Sequence, residues 1–86
     1  MQATLEISMY PLQSDYKDHI TAFIHGLKKR PGISVHVNGI STQIFGKYED
    51  IISVLESPVK EELEKEMGLV FVMKLTSGRH DEHPNI

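Results

Sequence analysis

Two kinds of hydrophobic spacing alternate along the chain, and their order limits the fold more than any other sequence feature. Leu5, Ile7 and Met9 alternate with polar residues, which predicts a strand with two unlike faces. Apolar residues then recur at helical spacing, which predicts a helix that ends at Pro31-Gly32. The apolar stripe of this helix consists of Tyr16, Ile20, Phe23, Ile24 and Leu27.

The next segment predicts a hairpin. Apolar residues alternate again from Ile33 to Val37, and Asn38-Gly39 favours a tight turn because both residues tolerate positive φ. A third strand is expected over residues 40–45, closed by Gly46. In this strand Ile40 and Ile44 would share the core face.

The last segment predicts a broken helix and a fourth strand. The helical pattern starts at Tyr48, and Ser57-Pro58 is expected to end it and start a new helix. That second helix would present Val59, Leu63 and Met67 as its apolar stripe. Residues 69–75 are almost wholly apolar, which predicts a buried central strand.

The predicted order is βαββαβ, which is typical of the ferredoxin-like α+β sandwich. Four antiparallel strands form one sheet in this fold, and both helices cover the same face. We expect one ligand-binding domain over residues 1–76 and a polar C-terminal tail over residues 77–86.

Composition excludes several classes of partner. The 86 residues carry a net charge of −3, which argues against nucleic-acid binding through phosphate neutralisation. No apolar run approaches the roughly 20 residues of a membrane-spanning helix. The N-terminus lacks the pattern of a secretory signal, and the chain has no cysteine. A cytoplasmic protein that binds neither nucleic acid nor membrane is therefore expected.

No constellation for catalysis, cofactor binding or metal binding stands out. The glycines are scattered at turns, and a nucleophile elbow is missing. His19 and His25 lie six positions apart on one helix, a spacing that does not align two ligands. The histidines of residues 80–83 form the best local cluster, and whether they bind metal stays open. We expect no enzyme activity, no cofactor and no metal site.

Two surfaces of the predicted fold could bind a partner. The sheet face opposite the helices would meet water, a ligand or a second copy of the chain. On the helix side, Thr42 would bring a hydroxyl beneath the helices, where it needs a hydrogen-bond partner. That partner could be a backbone carbonyl or a ligand in a gap between sheet and helix. The polar or mixed positions of the open face are Glu6, Ser8, Tyr10, Ser34, His36, Asn38, Val70 and Val72.

Two stretches carry a resemblance to a known family. Residues 7–12 (ISMYPL) and residues 38–50 (NGISTQIFGKYED) resemble the YkoF-like thiamine-binding family, and the element order agrees over residues 3–76. The resemblance implies a domain that pairs with another copy and binds thiamine or its hydroxymethylpyrimidine part in vitamin B1 salvage or transport. It carries over Tyr10, Ser41, Thr42 and Gln43 as ligand-binding residues.

Two further ligand-binding residues are inferred from face and charge. Asn38 could add hydrogen bonds to the ligand, and Glu6 could balance the thiazolium charge. Tyr10 could stack on either ring. The expected protein is a non-catalytic binder that forms a homodimer or homotetramer. The alternatives are an ACT-like regulatory or assembly module that binds a partner through the open face, and a small monooxygenase on the same fold.

Overall fold

Strands and helices follow one another in the order that the hydrophobic spacing predicted, which confirms the βαββαβ fold. The computed structural model describes residues 1–12, 16–65 and 68–81. Its elements are β1 (Gln2–Tyr10), α1 (Tyr16–Lys28), β2 (Ile33–Val37), β3 (Thr42–Lys47), α2 (Tyr48–Val54), a π-helical turn (Leu55–Val59), α3 (Lys60–Lys65) and β4 (Val70–Ser77).

The four strands form one antiparallel sheet in the order β2-β3-β1-β4. Leu5 of β1 lies opposite Ile44 of β3 on one side and Leu75 of β4 on the other. The side chains of Ala3, Leu5 and Ile7 are buried on the face that the helices cover. Period-two alternation therefore sends their neighbours Thr4, Glu6 and Ser8 to the open face.

The core lies between this sheet face and the helices. Phe23 and Leu27 of α1 are buried, and the Phe23 ring centroid lies 5.3 Å from that of Phe71 in β4. The buried apolar cluster consists of Ala3, Leu5, Ile7, Phe23, Leu27, Ile44, Ile51, Val54 and Val59.

The prediction that residues 69–75 form a central strand is wrong. β3 and β1 are the inner strands of the sheet, and β4 lies at one of its edges. Met73 and Leu75 share the helix-covered face with Leu5 yet are 38% and 49% exposed. An apolar run does not distinguish a central strand from an edge strand whose side chains are left uncovered.

The predicted break at Pro58 is also wrong, because the helix continues through it. Proline lacks the N–H that would bond to the carbonyl four residues earlier, and its ring clashes with that carbonyl. One π-helical turn, Leu55–Val59, accommodates the missing hydrogen bond and the proline ring between α2 and α3. Val59 is buried as predicted, whereas Leu63 is exposed and Met67 lies outside the described residues.

The hairpin turn differs from the expected tight turn. β3 begins at Thr42, two residues later than predicted, and Ile40 is 89% exposed in the connection. Neither Asn38 nor Gly39 adopts a positive φ. The Asn38 side-chain carbonyl instead accepts hydrogen bonds from the N–H groups of Ile40 (2.8 Å) and Ser41 (3.0 Å).

Residues 78–81 turn back across the open face, and we call this segment the strap. The Thr4 hydroxyl donates to the Gly78 carbonyl (2.8 Å) and accepts from the His80 N–H (2.9 Å). β4 itself continues to Ser77, so the polar tail is structured where it leaves the sheet. The described part of the tail therefore belongs to the folded domain.

The strap buries an aromatic residue on a face that was predicted to be open. The Arg79 guanidinium lies 5.4 Å from the centroid of the Phe45 ring, and the His36 ring meets Phe45 edge-on at 5.2 Å. As a result Phe45 is buried. The hydrogen bond from Arg79 holds the pKa of the Asp81 carboxyl below its ordinary value.

Two further observations concern membranes and metals. None of the described helices has the length and apolar character needed to cross a membrane. Within residues 1–12, 16–65 and 68–81, no three His, Asp or Glu side chains cluster as metal ligands do. Part of the histidine cluster at residues 80–83 lies outside the described residues.

Candidate functional site

A cleft of about 420 Å³ opens at the end of the sheet where β1 ends and the β2–β3 hairpin turns. This volume lies within the range of small-molecule sites, about 300–1,000 Å³. The cleft is lined by Ile7, Ser8, Met9, Tyr10, Pro11, Leu12, Ile20, Phe23, Ile24, Val37, Asn38, Gly39, Ile40, Ser41 and Thr42.

Three parts of the fold supply the walls of the cleft. β1 and the segment after it provide one wall, and α1 provides a second with Ile20, Phe23 and Ile24. The hairpin provides the third, with Ile40 projecting at the rim because the Asn38 side chain shapes the turn. The helical stripe of α1 is therefore shared between the core and the cleft.

Thr42 brings a buried hydroxyl to this cleft. It lies between Ile7 and Val37 on the helix-covered face and is 7% exposed. Within the described residues no donor or acceptor pairs with its hydroxyl, so of the two expected partners the backbone carbonyl is not found there. An unpaired buried hydroxyl costs about 1–3 kcal/mol in the free protein, and a ligand that bonds to it removes that cost.

A polar network lies on the opposite, open face. The Ser41 hydroxyl donates to the Glu6 carboxylate (3.2 Å) and accepts from the Gln43 side-chain amide (2.8 Å). The Asn38 amide donates to Gln43 at 3.4 Å, and Lys74 lies 3.9 Å from Glu6. These side chains are bonded to one another and support the hairpin from the side away from the helices.

The structure therefore divides the six residues predicted to bind ligand. Tyr10, Asn38, Ser41 and Thr42 line the cleft, whereas Glu6 and Gln43 lie on the open face. Asn38 and Ser41 line it while their polar atoms bond to the turn and to the network. Thr42 is the predicted residue whose polar group is both buried and available.

Sequence reasoning missed the apolar walls. The sequence predicted a loop position for Leu12, a core position for Ile24 and a strand position for Ile40. In the structure all three side chains line the same cleft. One sequence signal could have revealed the cleft. The α1 segment has more apolar residues than the thin core of a small domain can bury. The open face also offers a partner less area than predicted, since the strap covers Thr4 and Phe45.

The chemistry of the cleft suits a small, flat and largely neutral molecule. Among its described lining residues none is Asp, Glu, Lys, Arg or His. Apolar side chains provide contact area, the Thr42 hydroxyl can donate or accept one hydrogen bond, and Tyr10 offers an aromatic face at the rim.

The fold and the cleft together define a small ferredoxin-like α+β domain with a cavity between the end of its sheet and its first helix. The model of the YKOF-related family matches residues 2–78, so the chain belongs to that family and the resemblance seen in the sequence is confirmed. No curated protein sequence matches the chain at a significant level.

Solved structures from three organisms share the fold. A hypothetical protein from Methanocaldococcus jannascii has a TM-score of 0.74 at 19% identity, covering 98% of this chain and 88% of its own. A protein from Thermotoga maritima, provisionally named for thiamine biosynthesis or salvage, has a TM-score of 0.74 at 18% identity, with coverage of 91% and 85%. A Streptococcus pneumoniae protein has a TM-score of 0.77 at 15% identity, with coverage of 93% and 90%.

Proposed function

We propose that the cleft binds thiamine or its hydroxymethylpyrimidine part, and that the protein carries this ligand in salvage or uptake without transforming it. The observation that carries the proposal is the buried Thr42 hydroxyl, which has no partner among the described residues and lies in a cleft lined mostly by apolar side chains. Membership of the YKOF-related family and the name of the Thermotoga maritima relative support the choice of ligand.

The aminopyrimidine ring fits the cleft better than the thiazolium ring does. Its ring nitrogens and amino group can pair with the Thr42 hydroxyl while its faces contact Ile7, Phe23 and Val37. A permanent cation loses hydration on burial and needs a compensating partner. Because Glu6 lies on the open face, the thiazolium of bound thiamine would stay at the solvent-exposed rim near Tyr10.

Calorimetric titration with thiamine and with hydroxymethylpyrimidine tests the proposal. The Thr42→Val variant keeps the shape of the side chain and removes its hydroxyl. We expect it to weaken ligand binding about 3- to 10-fold, the effect of one net hydrogen bond. Thr76→Val is the matched control, because Thr76 is exposed in β4 and lies outside the cleft.

Two results would contradict the proposal. Absence of binding by either compound at millimolar concentration would exclude this ligand class. Equal weakening by Thr42→Val and Thr76→Val would show that a bound ligand does not occupy the cleft.

A further inference from the structure

The mouth of the cleft is apolar. Four large side chains of the cleft lining are exposed, and we call Tyr10, Leu12, Val37 and Ile40 the rim. Single exposed apolar side chains are ordinary, but several around one opening mark a surface that a ligand contacts. The described lining contains no Lys, Arg or His. A negatively charged group of a ligand therefore finds no cationic side chain of this lining at the rim.

The backbone amides of the hairpin are already bonded. Amide groups can bind an anion where side chains carry no positive charge. Here the Asn38 side-chain carbonyl accepts from the N–H groups of Ile40 and Ser41, and the Asn38 N–H donates to the Ser41 carbonyl at 3.1 Å. On the β1 wall, Pro11 has no N–H. An anion at the rim would have to compete with the Asn38 side chain for these donors.

The N-terminus of α1 does not supply the missing donors. The free N–H groups of a helix belong to its first turn, and the helix dipole acts mainly within that turn. In α1 this turn comprises residues 16–19. The residues of α1 that line the cleft are Ile20, Phe23 and Ile24, which lie beyond it. The cleft therefore meets α1 where the amides are paired within the helix.

A carboxylate lies behind the rim. The Ser41 hydroxyl donates to the Glu6 carboxylate, so this polar group of the lining directs its hydrogen away from the cleft. Lys74, at 3.9 Å, compensates the charge of Glu6 only in part, because both side chains are exposed to water. The whole chain has a net charge of −3. Both the local and the overall charge disfavour an anion at the rim.

We propose that the cleft selects the free hydroxymethyl form of its pyrimidine ligand and rejects the phosphate ester. The inference rests on the proposed function, because it takes the pyrimidine ring to lie beside Thr42. A phosphate on the hydroxymethyl group would lose hydration against the rim without gaining a cationic partner from the described lining. The Thr42 hydroxyl is one neutral donor and does not compensate a phosphate charge of about −1.5 to −2.

The distance between the phosphate and the pyrimidine ring determines how strong this selection is. In hydroxymethylpyrimidine phosphate, one carbon and one oxygen separate the phosphorus from the ring, so the anion lies at the rim. In thiamine monophosphate, the thiazolium ring and a two-carbon chain lie between them, so the phosphate stays in water. The cleft thus distinguishes phosphate esters by the place at which the phosphate is attached.

Calorimetric titration with these two phosphate esters and their unphosphorylated forms tests the selection. We expect hydroxymethylpyrimidine phosphate to bind at least about 10-fold more weakly than hydroxymethylpyrimidine, because its charge is desolvated without a partner. Thiamine monophosphate should bind less than about 3-fold more weakly than thiamine, because salt and water screen its phosphate.

A lysine at the rim should reduce the selection. Ile40→Lys keeps the backbone bond to Asn38, and we expect it to bind hydroxymethylpyrimidine phosphate about 3- to 5-fold more tightly than the unsubstituted chain does. Thr76→Lys is the matched control, because it adds the same charge outside the cleft. Thr76 lies opposite Thr4, about 10 Å along β1 from Ile7, where the lining begins. Both substituted residues are exposed, so the circular-dichroism spectrum should not change.

The possible results separate this inference from the proposed function. Absence of binding by both unphosphorylated compounds would overturn the proposed function and the inference with it. Equal affinity for hydroxymethylpyrimidine and its phosphate would overturn the inference alone. An equal effect of Ile40→Lys and Thr76→Lys on binding of the phosphate ester would also overturn it, because the selection would then not arise at the rim.

Discussion

Thr4 and Thr42 are equally buried, at 7% exposure each, but their hydroxyls differ in hydrogen bonding. The Thr4 hydroxyl donates to one strap residue and accepts from another. The Thr42 hydroxyl finds no partner within the described residues and faces the cleft region. The first threonine bonds the strap to β1, and the second, under the proposed function, is available to a ligand.

This difference predicts opposite effects of the same substitution on stability. Thr4→Val should lower the free energy of unfolding by about 1–3 kcal/mol, because two hydrogen bonds are lost and their partners are left unpaired. Thr42→Val should leave the ligand-free protein unchanged or more stable by up to about 3 kcal/mol, because no bond is lost and the cost of the unpaired hydroxyl is removed. Urea denaturation measures both. Equal destabilisation would mean that Thr42 has an internal partner.

The sequence allowed one of these residues to be predicted and not the other. Thr42 stood out because alternation with Ile44 placed a hydroxyl on an apolar face. Thr4 gave no such signal, since its partners lie 74 and 76 positions away in the chain. Long-range contacts of this kind are set by topology and leave no local pattern.

At the scale of elements, β3 and the turn before β2 are packed so closely that a side chain is excluded. A Cβ atom on Gly46 would lie 2.6 Å from the Gly32 carbonyl oxygen, which belongs to the backbone and cannot rotate away. Gly32 itself has a φ of +82°, a conformation that favours glycine, so the turn before β2 is specified at this residue. The approach of these two segments positions β2 against β3.

Gly46→Ala should therefore lower the free energy of unfolding by about 1–3 kcal/mol, as overpacking does. Gly39→Ala is the matched control, because a Cβ atom on Gly39 would meet nothing within 4 Å and the φ of this residue is ordinary. The control should change stability by less than about 0.5 kcal/mol. Chemical denaturation of the two variants provides the comparison, and similar losses would show that the Gly46 contact relaxes freely.

Hydrophobic spacing predicted the type and order of the elements because each period depends on local backbone geometry. It did not predict that β4 lies at the edge, since strand order depends on how the helices cross the sheet. It also did not predict that the helix passes Pro58, because a π-helical turn that accommodates a proline leaves no hydrophobic pattern of its own. The walls of the cleft were not predicted either, because they come from three separate elements whose contacts leave no local pattern in the sequence.

At the scale of the whole molecule, the strap links the segment after β4 to the other three strands. It contacts Thr4 of β1, Phe45 of β3 and Ser34 of β2. A chain that ends after Gly78 should lose about 1–3 kcal/mol of unfolding free energy, since Phe45 becomes exposed. A chain that ends after Asp81 is the control and keeps these contacts.

Thermal or urea unfolding distinguishes the two truncations. Equal stability of the chains that end at Gly78 and at Asp81 would show that the strap does not stabilise the sheet. A loss confined to the shorter chain would assign the effect to residues 79–81.

The inner strand β1 and its neighbour β4 are the two strands of the sheet that lie farthest apart along the domain's sequence. β1 cannot gain its β4 neighbour until the whole sheet domain has been synthesised, because their pairing joins Ala3 to Ser77. Closing so long a loop slows folding relative to proteins that rely on local contacts. On the ribosome, the sheet can therefore be completed only after β4 has left the exit tunnel.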